Sequence, residues 1–197
     1  MPEGTDLIEV KNLTKSYGDK LAVDHISFTV KEGEILGFLG PNGAGKSTTM
    51  NMLTGYLSAS SGEIRINGTD MAENPIEAKK YIGYLPEFPP LYTDMTVEEY
   101  LRFMYRLKKV SCGETREEHI AGICQQVRIT EVQKRLIRNL SKGYKQRVGI
   151  AQAMIGDPKI LILDEPTVGL DPNQMIEIRS LIRKLGKKHT VVLSSHI

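Results

Sequence analysis

The sequence of 197 residues predicts an α/β fold. It reads as a mainly parallel sheet with an antiparallel β-subdomain and an inserted α-helical subdomain. Three observations carry this reading. "EILGFLG" (34–40) is a short apolar strand that runs through a glycine-rich turn into a helical pattern. "KILILDEP" (159–166) holds an unbroken apolar run, as a parallel strand covered on both faces requires. Between them, from Thr96 to about Gly156, the patterns are mostly helical and no strand is convincing.

Taken in order, "LIEVKNLTKSYG" (7–18) alternates apolar and polar residues and turns at Gly18. "LAVDHISFTVKEG" (21–33) does the same and closes at Gly33, so the two read as antiparallel strands with one wet face. The strand at 34–40 follows, then the helix "KSTTMNMLTG" (46–55), ending at Gly55. "SGEIRING" (61–68) and "YIGYL" (81–85) are short strands, the second running into the proline-rich "PEFPPLYTDM" (86–95). "TVEEYLRFMYRLKK" (96–109) opens with Thr96 and Glu99 in capping-box spacing, and Val97, Tyr100, Leu101, Met104 and Leu107 share one face. Further helices read at 115–127 and 142–156. After the strand at 159–166 come a helix at 172–188 and a β-branched strand, "TVVLSSHI" (190–197). A core strand leaves its neighbours needing cover, so this ending reads as a chain cut short after Ile197. The core is therefore expected over 5–85 and 157–197, with the helical subdomain over 86–156, all within one domain.

Composition narrows the function classes. The formal net charge is only +2, far from the basic footprint of a dedicated nucleic-acid binder. The basic run "RKLGKKH" (183–189) reads as a solvated helix face. Cys112 and Cys124 fit no metal or redox spacing, which suits a reducing cytosolic compartment. No signal peptide opens the chain and no apolar run is long enough to span a bilayer. His25, His119 and His189 stand in no chemical context and read as structural.

The chemistry begins at "GPNGAGKSTTMNML" (40–53). Gly40, Gly45, Lys46 and Ser47 match G-x-x-x-x-G-K-[ST], a phosphate-binding loop between a strand and a helix. Glycine lets backbone N–H groups approach a ligand and form a nest for phosphate oxygens. The helix that starts near Lys46 aims its positive end at the same spot. Lys46 would reach the β- and γ-phosphates, and Ser47 would ligate Mg2+. At the C-terminal end of the strand in 159–166, where parallel sheets bind ligands, stand Asp164 and Glu165. Asp164 suits Mg2+, directly or through water. Glu165 could act as general base on a water attacking the γ-phosphate.

Between these two motifs lies "NLSKGYKQR" (139–147), which resembles the signature of ATP-binding cassette (ABC) ATPases, usually written LSGGQ. "PTVGLDP" (166–172) resembles the family's D-loop, His196 its switch histidine, and "SYG" (16–18) its adenine-stacking aromatic loop. The resemblance covers nearly the whole chain with the motifs in family order, and "LSKGYKQR" disfavours a phosphate-loop kinase outside the family. It implies a P-loop NTPase core that binds ATP and Mg2+ and hydrolyses ATP. It implies that Tyr17 stacks on adenine, and that the triphosphate is held by Gly40, Pro41, Asn42, Gly43, Ala44, Gly45, Lys46, Ser47 and Thr48. His196 would sense the γ-phosphate, and Glu165 with His196 would be the catalytic pair. Ser141, Lys142 and Gly143 would face the nucleotide of a second subunit, with Asp171 at the seam of a head-to-tail homodimer or paired cassette. Glu87 falls where the family has its Q-loop glutamine, and would join Ser47 and Asp164 at the metal. Lys142 and Tyr144 also depart from the family's Gly and Gln.

"YLPEFPPLYTDMTVEEYL" resembles exporter-type cassettes of bacterial ABC-2 systems. The resemblance thus implies the cytoplasmic ATPase subunit of an ABC transporter, peripheral on the inner face of the membrane through a separate permease subunit. The helical insertion and the Glu87 loop would dock on that partner, with Phe88, Pro89, Pro90, Leu91 and Tyr92 as an exposed apolar loop. The alternative within the family is a soluble ABC ATPase acting on ribosomes or nucleic acid. Such proteins usually carry tandem cassettes, coiled-coil insertions or zinc motifs, and none is read here.

Overall fold

The computed structural model describes residues 5–111 and 113–196; Cys112 and Ile197 lie outside the described residues. Two four-stranded sheets organise the chain. The antiparallel sheet has the order β2-β1-β4-β5, from β1 (Asp6–Tyr17), β2 (Lys20–Lys31), β4 (Ser61–Ile66) and β5 (Thr69–Asp70). The parallel sheet has the order β3-β8-β7-β6, from β3 (Ile35–Leu39), β6 (Ile82–Leu85), β7 (Ile160–Leu163) and β8 (Thr190–Ser195). Helix α1 (Lys46–Leu53) follows β3, α2 (Pro75–Lys79) precedes β6, and α6 (Pro172–Leu185) joins β7 to β8. Between β6 and β7 the chain makes α3 (Val97–Leu107), α4 (Arg116–Gln126) and α5 (Lys142–Met154). The architecture is the one expected from the sequence: an α/β core with a parallel sheet, an antiparallel β-sheet and inserted helices.

Burial follows the sequence patterns. β7 is buried at every position, as its apolar run requires. The alternating β1 and β2 keep one side exposed. One apolar cluster fills the space between the two sheets, where Ile8, Met50, Leu53 and Ile66 meet Ile160, Ile162 and Val192. A second joins the inserted helices to the other face of the parallel sheet, through Tyr100, Leu101, Ile123, Val148, Ile150 and Leu163. The capping box at Thr96 and Glu99 forms in both directions, and Thr115 and Glu118 form a second one at α4. α5 stops at Met154 and α6 at Leu185, each a few residues short of its sequence pattern. Both β5 and α2 went unread in the sequence, because two and five residues carry too little periodicity to register.

Polar fasteners hold the inserted helices to the core. The Nε2 atom of buried His119 accepts the Gly156 N–H at 3.0 Å, so its Nδ1 carries the proton toward Glu114 at 2.6 Å. That leaves the Gln152 carbonyl without the donor that a continuing helix would supply. Lys108 supplies one instead, its ammonium donating to Gln152 at 2.7 Å and Ile155 at 3.1 Å. Burial pushes this amine down to about 8, while the carbonyls at the helix end favour its charged form. His189, also buried, pairs through Nδ1 with the Pro158 carbonyl at 2.7 Å.

α5 approaches β6 very closely. A Cβ at Gly83 would fall on the Ala153 carbonyl and within 2.9 Å of Leu161 Cδ2. Gly83→Ala should therefore push α5 off the sheet and lower unfolding free energy by about 1–3 kcal/mol in a denaturant titration. Gly37→Ala in β3 meets nothing within 4 Å and should change stability by no more than about 0.5 kcal/mol.

Candidate functional site

The loop between β3 and α1 owes its shape to its glycines. Gly43 and Gly45 both hold left-handed backbone, with φ 84° and 85°. Gly45 has a second reason, since a Cβ there would lie 2.5 Å from the Ala22 carbonyl oxygen and 3.2 Å from Val23 Cγ2. Gly45 also caps α1, with no side chain bonded to the helix end and no acid in the first turn. The N-terminal N–H groups of α1 are thus left to a ligand. Lys46 folds over the loop and donates to the carbonyls of Gly40 at 2.6 Å and Pro41 at 3.1 Å. Its ammonium also lies 3.7 Å from Glu165 Oε1, with both side chains nearly buried.

The acids come from the end of β7. Asp164 Oδ1 accepts from Ser194 Oγ at 2.5 Å and from Ser47 Oγ at 3.4 Å. Glu165 takes a left-handed φ of 47°, uncommon for a residue with a side chain, and its N–H donates to Ser194 Oγ at 2.8 Å. The Glu165 carboxylate meets His196 Nδ1 at 2.8 Å. Gly40 N–H donates to the Ser195 carbonyl at 3.3 Å, tying the phosphate loop to the end of β8.

Lys46, Ser47, Glu165 and His196 line an open cleft of about 550 Å³, whereas Asp164 is buried and meets the cleft lining through Ser47. Tyr17 and Leu21 form its antiparallel side, with Asn42, Gly43, Gly45, Lys46, Ser47 and Thr48 as the loop side, and Glu87, Glu165 and His196 opposite. Tyr17 is half-exposed at the end of β1, with Lys15 Nζ 5.4 Å from its ring centre. Gly40, Pro41 and Ala44 are not among the cleft-lining residues; the Gly40 and Pro41 carbonyls accept from Lys46, and the Ala44 N–H donates to the Pro41 carbonyl at 3.3 Å. Nearby, burial and the charges of Asp164 and Glu87 push the Tyr84 phenol up to about 12, so it stays protonated and donates to Asn51 Oδ1 at 3.1 Å. A nest of N–H groups, one ammonium and converging hydroxyl and carboxylate oxygens suit a phosphate chain with a hard cation. Ser47 and Asp164 fit Mg2+ as oxygen donors. The described residues hold no cluster of three or more His, Cys, Asp or Glu that would bind a metal unaided.

A second group lies outside the cleft. Ser141 caps α5, its Oγ accepting from Tyr144 N–H at 3.3 Å, and Asp171 caps α6, its Oδ1 accepting from Gln174 N–H at 2.9 Å. Gly143 abuts the Gln174 side chain, and Lys142 lies across Gly169. None of Ser141, Lys142, Gly143 and Asp171 is among the cleft-lining residues. Tyr144 turns toward its own chain, donating to Glu131 at 2.6 Å, which raises the phenol and lowers the carboxyl.

Ser194 is the residue that sequence reading missed. Its signal was the Ser-Ser pair interrupting an apolar strand just before His196. The proline-rich loop also differs from expectation. Phe88 is 80% exposed and Tyr92 52%, but Leu91 packs on the core and Pro89 lies against α5 near Gly149.

Comparison with known proteins adds to this geometry. The family model described as "ABC transporter" matches residues 23–168. The chain is 41% identical over 193 residues to the bacitracin transport ATP-binding protein BcrA of Bacillus licheniformis, covering 97% of this chain and 62% of that protein. It is 39% identical over 197 residues to the probable multidrug ABC transporter ATP-binding protein YbhF of Escherichia coli, covering 98% of this chain and 33% of that one. This chain thus spans less than two thirds of the length of these curated relatives. Among solved structures it resembles the dimeric bacterial ABC transporter cassette MJ0796, at TM-score 0.84 and 28% identity, covering 96% of this chain and 88% of that one. It also resembles cbiO1 of Clostridium perfringens, part of the ABC transporter complex cbiONQ, at TM-score 0.86 and 28% identity, covering 98% and 79%.

Ser194 is fully buried and serves two buried groups at once. Ser194→Ala leaves the Glu165 N–H and the Asp164 carboxylate each short of a partner. It should lower stability by about 1–3 kcal/mol in a denaturant titration.

Proposed function

The chain belongs to the ABC transporter family, and on that premise we propose that it is the ATP-binding and ATP-hydrolysing subunit of an exporter-type transporter. One observation carries the reading: Lys46, the Ser47–Asp164 pair and the Glu165–His196 pair converge on a single cleft at the phosphate loop. In this reading Tyr17 stacks on adenine, and residues 40–48 wrap the triphosphate with backbone N–H groups. Lys46 exchanges the Gly40 and Pro41 carbonyls for β- and γ-phosphate oxygens. Ser47 and Asp164, with Glu87 across the cleft, would hold Mg2+. Bound Mg2+ would neutralise charge that develops on the phosphates.

Glu165 accepts the proton of the attacking water as the γ-phosphoryl group passes to that water and ADP leaves. His196 holds Oε2 of Glu165 and so aims the carboxylate. The left-handed backbone at Glu165, pinned by Ser194, turns the side chain into the cleft beside Lys46. Ser141, Lys142 and Gly143 lie at a helix N-terminus outside this cleft, which supports a pairing in which they meet the nucleotide of a second copy. We divide the chain into a nucleotide core, 5–85 and 157–197, and a helical subdomain, 86–156.

Among the described residues no helix is long and apolar enough to cross a membrane. The names of the relatives, transport and multidrug transporter ATP-binding proteins, support a permease subunit as the partner. The chain would then lie on the cytoplasmic face through that partner. The export direction is supported by the transport and multidrug names of the relatives. Phe88, exposed beside the cleft residue Glu87, suits a contact with the permease.

Lys46→Ala should abolish or sharply weaken ATP binding while circular dichroism stays unchanged; unaltered affinity would refute the site. Glu165→Gln should keep ATP binding, lower turnover by about 10²–10⁴-fold and let the ATP-bound dimer accumulate. Near-normal hydrolysis by that variant would remove Glu165 as the base.

The proline-rich loop makes a separate pair of predictions. Phe88→Asp should leave the melting temperature and basal ATPase nearly unchanged but prevent co-purification with the permease. Leu91→Asp should instead lower the melting temperature, because that side chain packs on the core. A large drop in melting temperature for Phe88→Asp would overturn the surface role.

A further inference from the structure

We propose that the groove between α4 and α6 is a docking surface for an acidic segment of a partner protein. The groove includes a hollow of about 460 Å³ in which Arg128, Leu181, Lys184, Leu185 and Lys188 take part. Through Arg128, Leu181 and Lys184 it continues into a smaller hollow of about 200 Å³ that ends at Arg147 and Ile176. Leu181 and Leu185, one helical turn apart, contribute an apolar floor, and Ile176 stands 65% exposed at the far end.

The charges on its walls are not balanced. Arg128, Lys184 and Lys188 line the groove, and none of them forms an ion pair with another described residue. Among the described residues Glu177 is the one carboxylate lining the two hollows, and Arg147 already holds it at 2.5 Å while donating to the Val127 carbonyl at 2.9 Å. Three cations left unneutralised around an apolar floor repel one another, and carboxylates of a partner would relieve that repulsion. Beyond Lys188 the surface turns acidic at Asp157 and Glu114, which sets where the acidic part of an occupant must stop.

The combination selects a peptide over a nucleic acid. A nucleic-acid surface needs a broad basic footprint, whereas this chain is nearly neutral and the groove is apolar along its base. An amphipathic acidic segment matches both features, with apolar side chains over Leu181 and Ile176 and carboxylates toward Arg128, Lys184 and Lys188. The basic run 183–189 thereby gains a role beyond a solvated face. An occupant would also bridge α4 of the inserted helices to α6, which leads away from the acids at the end of β7.

The test uses the whole chain and a fluorescent synthetic peptide of about four helical turns, with Leu on one face and Glu at its edges. Controls are the same peptide with Gln for Glu and a single-stranded oligonucleotide of equal charge. Anisotropy should detect binding of the Glu peptide that weakens as salt is raised. The affinity should fall by at least about tenfold in the combined Arg128→Glu, Lys184→Glu, Lys188→Glu variant. Basal ATP hydrolysis by that variant should stay unchanged, as a check on folding that does not depend on the groove. Should the triple reversal fail to fold, the Lys184→Gln, Lys188→Gln pair should give a smaller loss in the same direction. Absence of binding, equal binding of the Gln peptide, equal binding by the variants, or tighter groove-dependent binding of the oligonucleotide would each overturn the proposal.

Discussion

Leu163 lies opposite Leu193 in the parallel pairing of β7 with β8, and that register sets the geometry of the cleft. It puts the first residues past β7 beside the last residues of β8, so that Ser194 reaches both the Asp164 carboxylate and the Glu165 N–H. The same alignment carries His196 to the Glu165 carboxylate. β3 pairs on the other side of β8, which brings the phosphate loop and Ser47 to Asp164. A slip of one residue would turn every side chain to the opposite face and scatter these groups.

The cleft concentrates charge that water cannot easily screen. Lys46 and Glu165 are both nearly buried, and each has further polar partners. A buried ion pair of this kind is poor evidence of stability, because desolvation offsets much of the attraction. Its value lies in pre-orientation. The ammonium, the two acids and the helix end are held in position by backbone and hydroxyl contacts, so little must reorganise around a phosphate chain.

The inserted helices are attached by short, specific contacts as well as by apolar burial. α5 presses on β6 at Gly83, and Lys108 and His119 complete the hydrogen bonds at its C-terminal end. Its N-terminal end, at Ser141, is packed beside the turn that precedes α6. α5 therefore links a helix end outside the cleft to the strands that build the cleft. The groove between α4 and α6 lies where the insertion meets the core, so an occupant there would touch both.

The sequence alone determined the strand–loop–helix unit that carries the glycine-rich loop, the buried strand that ends at Asp164 and Glu165, and the succession of the longer strands and helices along the chain. Each of these rests on local rules: glycine backbone freedom, alternation, an unbroken apolar run, and a capping box. Short elements such as β5 and α2 escaped because they carry less than one useful period. Only the tertiary structure decided which groups meet. Ser194 is an ordinary hydroxyl until strand register brings it to Asp164 and Glu165, residues about thirty positions away. Leu91 and Phe88 look alike in sequence, yet one packs on the core and the other faces outward. The basic run 183–189 became one wall of a groove only because α4, distant in sequence, supplies the other wall. Composition and periodicity report a residue's own preferences, whereas these outcomes depend on partners that folding brings from elsewhere in the chain.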